Sequence, residues 1–127
     1  MASLTTAEAN RLLDASFGTA TYTAPTAPMK LALATTASSA SAAGTEVAGG
    51  SYARQTIAMT AASSESAANT AAITFTNMPA CTVTHVDIYD SNGTPRRCWW
   101  GQLSTPIPVL AGASLSFSAA QITALLQ

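Results

Sequence analysis

Apolar residues recur at helical spacing once, near the start of the chain, and at strand spacing through most of the remaining residues. Thr5-Thr6-Ala7-Glu8 has the capping-box spacing, in which the Thr5 hydroxyl caps a backbone donor and Glu8 reaches back to the Thr5 N–H. Behind it Ala9, Leu12, Leu13, Ser16 and Phe17 form one stripe, and Gly18 supplies a left-handed stop. The pattern predicts a helix over Thr6–Phe17. Residues 19–28 hold two prolines among threonines and alanines and read as an extended connector.

From Met29 the period changes to two. Met29, Leu31 and Leu33 alternate with Lys30, Ala32 and Ala34, which predicts a strand over Met29–Thr35. Thr36–Gly50 is rich in Ser, Ala and Gly and reads as a long surface loop, either mobile or ordered by a neighbouring subunit. Ser51–Thr60 is a strand that sets Tyr52, Arg54 and Thr56 on one face. Ala61–Ala68 is a loop, and Ala71–Thr76 a strand with Ile73 and Phe75 inward. Pro106 and Pro108 make Pro106–Leu110 an edge strand at best, and Ser114–Ser118 alternates Leu115 and Phe117 with serines. Ala119–Gln127 fits both a helical turn and a strand, and is read as a last strand or short turn. Short strands at near-regular spacing predict a mostly β chain. The expected architecture is a single β-sandwich of about seven short antiparallel strands with one N-terminal α-helix. One domain covers residues 1–127, with the helix in 1–18 and the sandwich in 29–127. The helix should bury its stripe on an open end or side of the sandwich.

The most informative stretch is a predicted hairpin. Cys81–Tyr89 and Arg96–Leu103 flank Asp90–Pro95, whose Asn92-Gly93 is the dipeptide a tight type I′ turn requires. That turn would set the ladder as Tyr89–Arg96, Asp87–Cys98, Val86–Trp99 and His85–Trp100, with Pro95 fraying this end into an edge or a wider loop. In this register the two cysteines lie roughly 20 Å apart along the strands, too far for a disulfide.

Composition narrows the function. Charged residues are only 9% of the 127 and the net charge is −1, so no basic face for nucleic acid is expected, and Arg96-Arg97 is too small a cluster to supply one. Weak surface charge gives little repulsion between copies and favours association. No run approaches the ~20 apolar residues of a membrane span, and the N-terminus lacks the features of a signal peptide. The protein is therefore expected to be made in the cytoplasm and not threaded through a membrane.

Candidate chemistry is sparse. His85, Asp87 and Cys98 would share a face, but a metal needs three or four ligands and a Cys nucleophile needs a close, oriented His. The simpler reading is a hydrogen-bonded His85 and an ion pair of Asp87 with Arg96 or Arg54. Tyr89 opposite Arg96 suggests a cation–π pair. Trp99 and Trp100 must point to opposite faces. One anchors the core; the other is an interface anchor or a stacking platform for a sugar. Neither a nucleophile elbow nor a phosphate-cradling loop is present, so neither an enzyme nor a cofactor is expected. Interface candidates are Trp99, Trp100, Tyr52, Arg54, Arg96, Arg97, Leu12 and Leu13.

The segments SLTTAEANRLLDASFGTATYTAP, MKLALATT, EVAGGSYARQTIAM, AAITFTN, VTHVDIYDSNG and WWGQLSTPIPVLAG together resemble a family of small virion proteins of tailed bacteriophages, over nearly the whole chain. GGSYAR, VTH and WGQL are the most specific pieces. Asp87 departs from the pattern, standing where relatives often have a small residue. The resemblance implies a structural role in the virion, as a capsid decoration (cement) protein or a tail-fibre or minor tail protein. The leading expectation is capsid decoration: a homo-oligomer, with a trimer favoured, clamping the major capsid protein and stabilising the head. Tail proteins as partners are the alternative, and a glycan-binding module for host attachment is a third reading.

Overall fold

A computed structural model describes residues 2–126. The chain runs β1 (Ala2–Leu4), α1 (Thr6–Ser16), β2 (Met29–Ala34), β3 (Gln55–Ile57), β4 (Ser66–Ala68), β5 (Ile73–Phe75), β6 (Cys81–Tyr89), β7 (Arg97–Val109), β8 (Leu115–Phe117) and β9 (Thr123–Leu125). The mostly β character and the single helix agree with the sequence pattern. The layering differs. Seven strands form one mixed sheet in the order β3-β2-β6-β7-β1-β9-β4, and β5 pairs with β8 in a separate two-stranded sheet. The large sheet is a half-barrel, not one half of an antiparallel sandwich.

The difference arises at the termini. β1, which precedes the helix cap and has no readable period, pairs antiparallel with β7 and parallel with β9. It thereby inserts the N-terminus between the hairpin and the last strand. At the far ends, Met59 bridges Asn69, with Thr60 N–H donating to Ala68 O and Thr70 N–H to Ala58 O. The continuations of the two edge strands are thus tied together, which removes part of the free edge that would otherwise invite unspecific pairing. Among the described residues no helix is long and apolar enough to cross a membrane.

The core forms where alternating residues of the sheet meet the β5–β8 pair. Leu31, Leu33, Val86 and Ile88 from β2 and β6 pack with Ile73, Phe75, Leu115 and Phe117 from the small sheet. Tyr52 stacks on Phe75 at 5.8 Å between ring centroids, and Phe75 meets Phe117 edge-on at 6.5 Å. β7 runs through Pro106 and Pro108. β1 pairs only with Trp99–Gly101, so the later part of β7 has one free edge, where a missing N–H costs no ladder bond.

The hairpin register is shifted from the expected one. Tyr89 faces Arg97, Ile88 faces Trp99, Asp87 faces Trp100 and His85 faces Gln102, with irregularities at Ile88/Tyr89 and Val83/His85. A type I′ turn is not formed: neither Asn92 nor Gly93 has a positive φ. Asp90 takes over the loop. Its carboxylate accepts from the N–H groups of Arg96 (2.7 Å), Thr26 (3.0 Å) and Asn92 (3.3 Å). Ser91 N–H donates to Thr26 O, and its hydroxyl donates to Pro28 O. The 19–28 connector is thereby pinned to the hairpin loop.

The 36–50 segment, expected to be mobile or ordered by a neighbour, is fastened by the chain itself. Buried Ser38 donates to Asp87 Oδ2 (2.7 Å) and accepts from Gly44 N–H (3.0 Å), while Thr35 N–H donates to Thr45 O and Val47 N–H to Leu33 O. A Cβ at position 44 would lie 2.2 Å from Thr36 O, so only glycine fits this crossing.

Burial opposes ionisation of Asp90, but the three N–H donors and the nearby Arg96 charge hold its carboxyl below the usual range. In the unfolded chain an aspartate titrates near pH 3.9. The stabilisation is therefore complete above about pH 4 and is lost as pH falls through the lower folded value. Asp90→Ala should cost about 2–3 kcal/mol at pH 7, and urea melts should show that cost shrinking towards about pH 2. A cost independent of pH would show that the charge of Asp90 does not stabilise the loop.

Candidate interaction surfaces

Helix α1 starts as its sequence dictates and then faces the other way. Thr5 Oγ1 accepts the Glu8 N–H at 3.3 Å and donates to Arg97 O at 3.0 Å. Gly18 ends the helix at φ +71°. The reciprocal half of the capping box is absent, because Thr5 N–H donates to Cys98 O. The Glu8 carboxylate is instead turned into the body of the protein. It is 1% exposed and the only buried residue of the helix. Arg96 Nη2 donates to it at 2.9 Å, Arg11 Nη1 at 3.0 Å, and the Tyr22 hydroxyl completes the set. Burial and the hydrogen bond to Glu8 push Tyr22 up to about 12, so its hydroxyl stays a donor throughout the neutral range.

With its polar side inward, the helix leaves its apolar stripe outward, against expectation. Leu13 is 57% exposed, Phe17 four residues further on 77%, and Leu126, which lines the same groove as Leu13, 48%; Leu12 is half-buried. Leu4, Leu12, Leu13, Leu125 and Leu126 line a groove of 620 Å³ between α1 and the β1/β9 end of the sheet. The stripe anticipated as the anchor of the helix is instead left open along the groove.

Most of the charged interface candidates serve internal contacts. Arg54 forms a bidentate pair with Glu46 (2.8 and 2.9 Å) and lies 3.8 Å over the Tyr89 ring. It thus takes the cation–π place expected of Arg96, which lies 5.7 Å from the Tyr22 ring. Tyr52 donates to Glu46 and accepts the Leu33 N–H. Burial opposes ionisation of Glu46, but hydrogen bonds from Arg54 and Tyr52 outweigh it and lower its carboxyl. Asp87 pairs with Arg97 at 2.8 Å, not with Arg96 or Arg54, and Arg97 also donates to Ser39 O. Asp87 thus fixes the loop over the outer face of the sheet.

His85, Asp87 and Cys98 do not converge. His85 Nδ1 contacts Thr84 Oγ1, and the Cys98 thiol is directed at Arg96 O. Both cysteines are free, and burial pushes both thiols up, which lowers their reactivity. Among the described residues no group of three or more His, Cys, Asp or Glu side chains could hold a metal. Trp99 packs on the core and Trp100 lies on the other face, opposite Asp87 and Ser3. Both are half-buried, and the Trp100 Nε1 is enclosed with no acceptor among the described residues. Neither is an open stacking platform.

Sequence reasoning missed Glu8 as a hub, with Tyr22, Ser38 and Asp90. One signal was available. In a chain with 9% charged residues, each charge that is kept needs a partner, and Glu8 stands three residues before Arg11.

A family model described as Podophage GP4 fiber I protein gp80 matches residues 3–124. No curated protein matches the chain.

Removing a buried carboxylate strands the cation paired with it. Glu8→Ala should cost about 3–5 kcal/mol, whereas Leu13→Ala and Phe17→Ala should stay within about 0.5 kcal/mol of wild type. Urea melts of the isolated protein test both. Large losses at Leu13 and Phe17 with none at Glu8 would mean that the helix is held by its stripe.

Proposed function

The chain belongs to the Podophage GP4 fiber I protein gp80 family, and we propose that it is a fibre component of a tailed-phage virion, joined to its neighbours through the outward face of α1. Membership makes it a phage virion structural protein of the tail-fibre type. The fibre reading is favoured over capsid decoration because the matching family is described as a fibre protein and the match spans nearly the whole chain. We assign the protein no catalytic step and a virion location.

The observation that carries the assembly role is the open apolar face made by Leu13, Phe17, Leu126 and the adjoining groove. Isolated exposed apolar residues are ordinary, but Leu4, Leu12, Leu13, Leu125 and Leu126 line one groove, and apolar residues gathered in this way mark a contact surface. The occupant we assign is a second copy of this chain. A net charge of −1 adds almost no repulsion between copies, and the groove lies beside exposed leucines that a copy can bring in return. Three exposed side chains fall well short of the roughly 800 Å² per partner of a stable complex. Association is therefore weak in dilute solution and strengthened when copies are held together in the particle.

Copy number and position in purified virions test this reading. Antibody labelling at the tail, with few copies per particle, is the expected result. Labelling spread over the head at hundreds of copies would establish capsid decoration and overturn the fibre reading.

A further inference from the structure

We propose that Asn92-Gly93 is a modification site at which the chain deamidates itself, with water as the co-reactant, and that the product loosens the hairpin loop. The pair has the residue types of a tight turn, but neither residue takes a positive φ, so the fold does not use it as one. Ser91–Pro95 lie outside the strands and are all exposed. A Cβ added at Gly93 would meet nothing within 4 Å.

The reaction needs an amide carbon, a backbone nitrogen free to attack it and an amino group free to leave. The Gly93 nitrogen attacks Asn92 Cγ and closes a five-membered imide, a step helped by the attachment of both reactants to one short stretch of chain. The N–Cγ bond forms, the Cγ–Nδ2 bond breaks, and ammonia departs with the Gly93 proton. Water then adds to one of the two ring carbonyls and opens the ring. Opening at Cγ gives aspartate. Opening at the Asn92 main-chain carbonyl gives isoaspartate, with one more methylene in the backbone. Nothing is oxidised or reduced.

Three observations single out this asparagine. First, neither the Gly93 N–H nor Asn92 Nδ2 makes a hydrogen bond among the described residues. Thr94 N–H donates to Asn92 Oδ1 at 3.1 Å, the atom on which negative charge develops as the nitrogen attacks. Second, at the other three asparagines the following N–H is committed. Arg11 lies in the interior of α1, Thr70 N–H donates to Ala58 O at 2.9 Å, and Met78 N–H donates to Ala113 O at 2.9 Å. Third, only Asn92 is followed by glycine, whose missing side chain lets the backbone close on Cγ. The consequence falls on Asp90, whose carboxylate accepts the N–H groups of Arg96, Thr26 and Asn92. A new carboxylate two residues away repels it, and the added methylene displaces the Asn92 and Arg96 donors relative to one another. The clasp that pins the 19–28 connector to the hairpin is weakened. The proposal does not depend on the fibre reading, and it survives if the protein decorates the head.

The test is peptide mass spectrometry of the isolated, folded protein aged at neutral and mildly alkaline pH in heavy-oxygen water. The expected result is conversion of the Asn92 amide to an acid that carries a heavy oxygen, with isoaspartate among the products. Its rate should rise in proportion to hydroxide, while Asn10, Asn69 and Asn77 stay unreacted. Gly93→Ala fits the open space and needs no positive φ, so its fold should be retained, and it should slow the conversion by about tenfold. In the separated product, amide hydrogen exchange at Thr26 and Arg96 should be faster than in the unreacted protein. An Asn92 that stays unreacted in the folded protein would overturn the proposal, and its reaction in the urea-unfolded chain would then show that the fold protects it. Equal rates in Gly93→Ala and wild type would overturn the attack by the Gly93 nitrogen. Unchanged amide exchange in the product would overturn the loosening of the loop.

Discussion

The buried carboxylate of Glu8 determines how the first quarter of the chain is attached to the rest. A charge taken out of water is costly unless ion pairs and hydrogen bonds surround it. Here Arg96 arrives from the hairpin, Tyr22 from the connector and Arg11 from the next helical turn. Each satisfies part of the carboxylate, and each is positioned by it. Arg96 also donates to Thr23 O, so the same guanidinium holds helix, connector and hairpin. Because this polar side must face inward, the apolar side of an eleven-residue helix must face out. The open face of α1 is a consequence of where the charge is buried.

A second polar station, built on the neighbouring Arg97, organises the 36–44 segment. Asp87 holds Arg97 and Ser38, and Ser38 in turn holds Gly44. The Ser/Ala/Gly-rich segment lacks apolar side chains with which to pack, so specific hydrogen bonds fix its path instead. Asp90 does the same for the hairpin loop. Of its few charges, the protein uses Glu8, Asp87 and Asp90 to hold irregular backbone in place. The apolar α1 groove is left open on the surface.

These facts set what could be read from the sequence. The capped helix, the period-two strands at 29–34 and 81–89, and the Leu115/Phe117 strand are legible because cap chemistry and alternation are local. β1 and β4 are three residues each and show no alternation of large apolar and polar side chains, whereas β9 falls in the segment read as a last strand or short turn; the parallel pairing of β1 with β9 turns an expected antiparallel sandwich into a mixed half-barrel. The hairpin register moved because two irregularities shift it, and because Asp90 offered its loop three hydrogen bonds that outweighed the Asn92-Gly93 preference. The direction of the helix was hidden for a different reason. Periodicity identifies an apolar face but does not say that it turns inward, and the partners of Glu8 lie 14 and 88 residues away.

The central claim is that the α1 face is open in the isolated protein and covered in the particle. Hydroxyl-radical footprinting of the two states measures this side chain by side chain. The account predicts strong modification of Leu13, Phe17 and Leu126 in the free protein and marked protection of all three in intact virions, with Phe75 and Leu31 protected in both. Equal modification of Leu13 and Phe17 in the two states would contradict it.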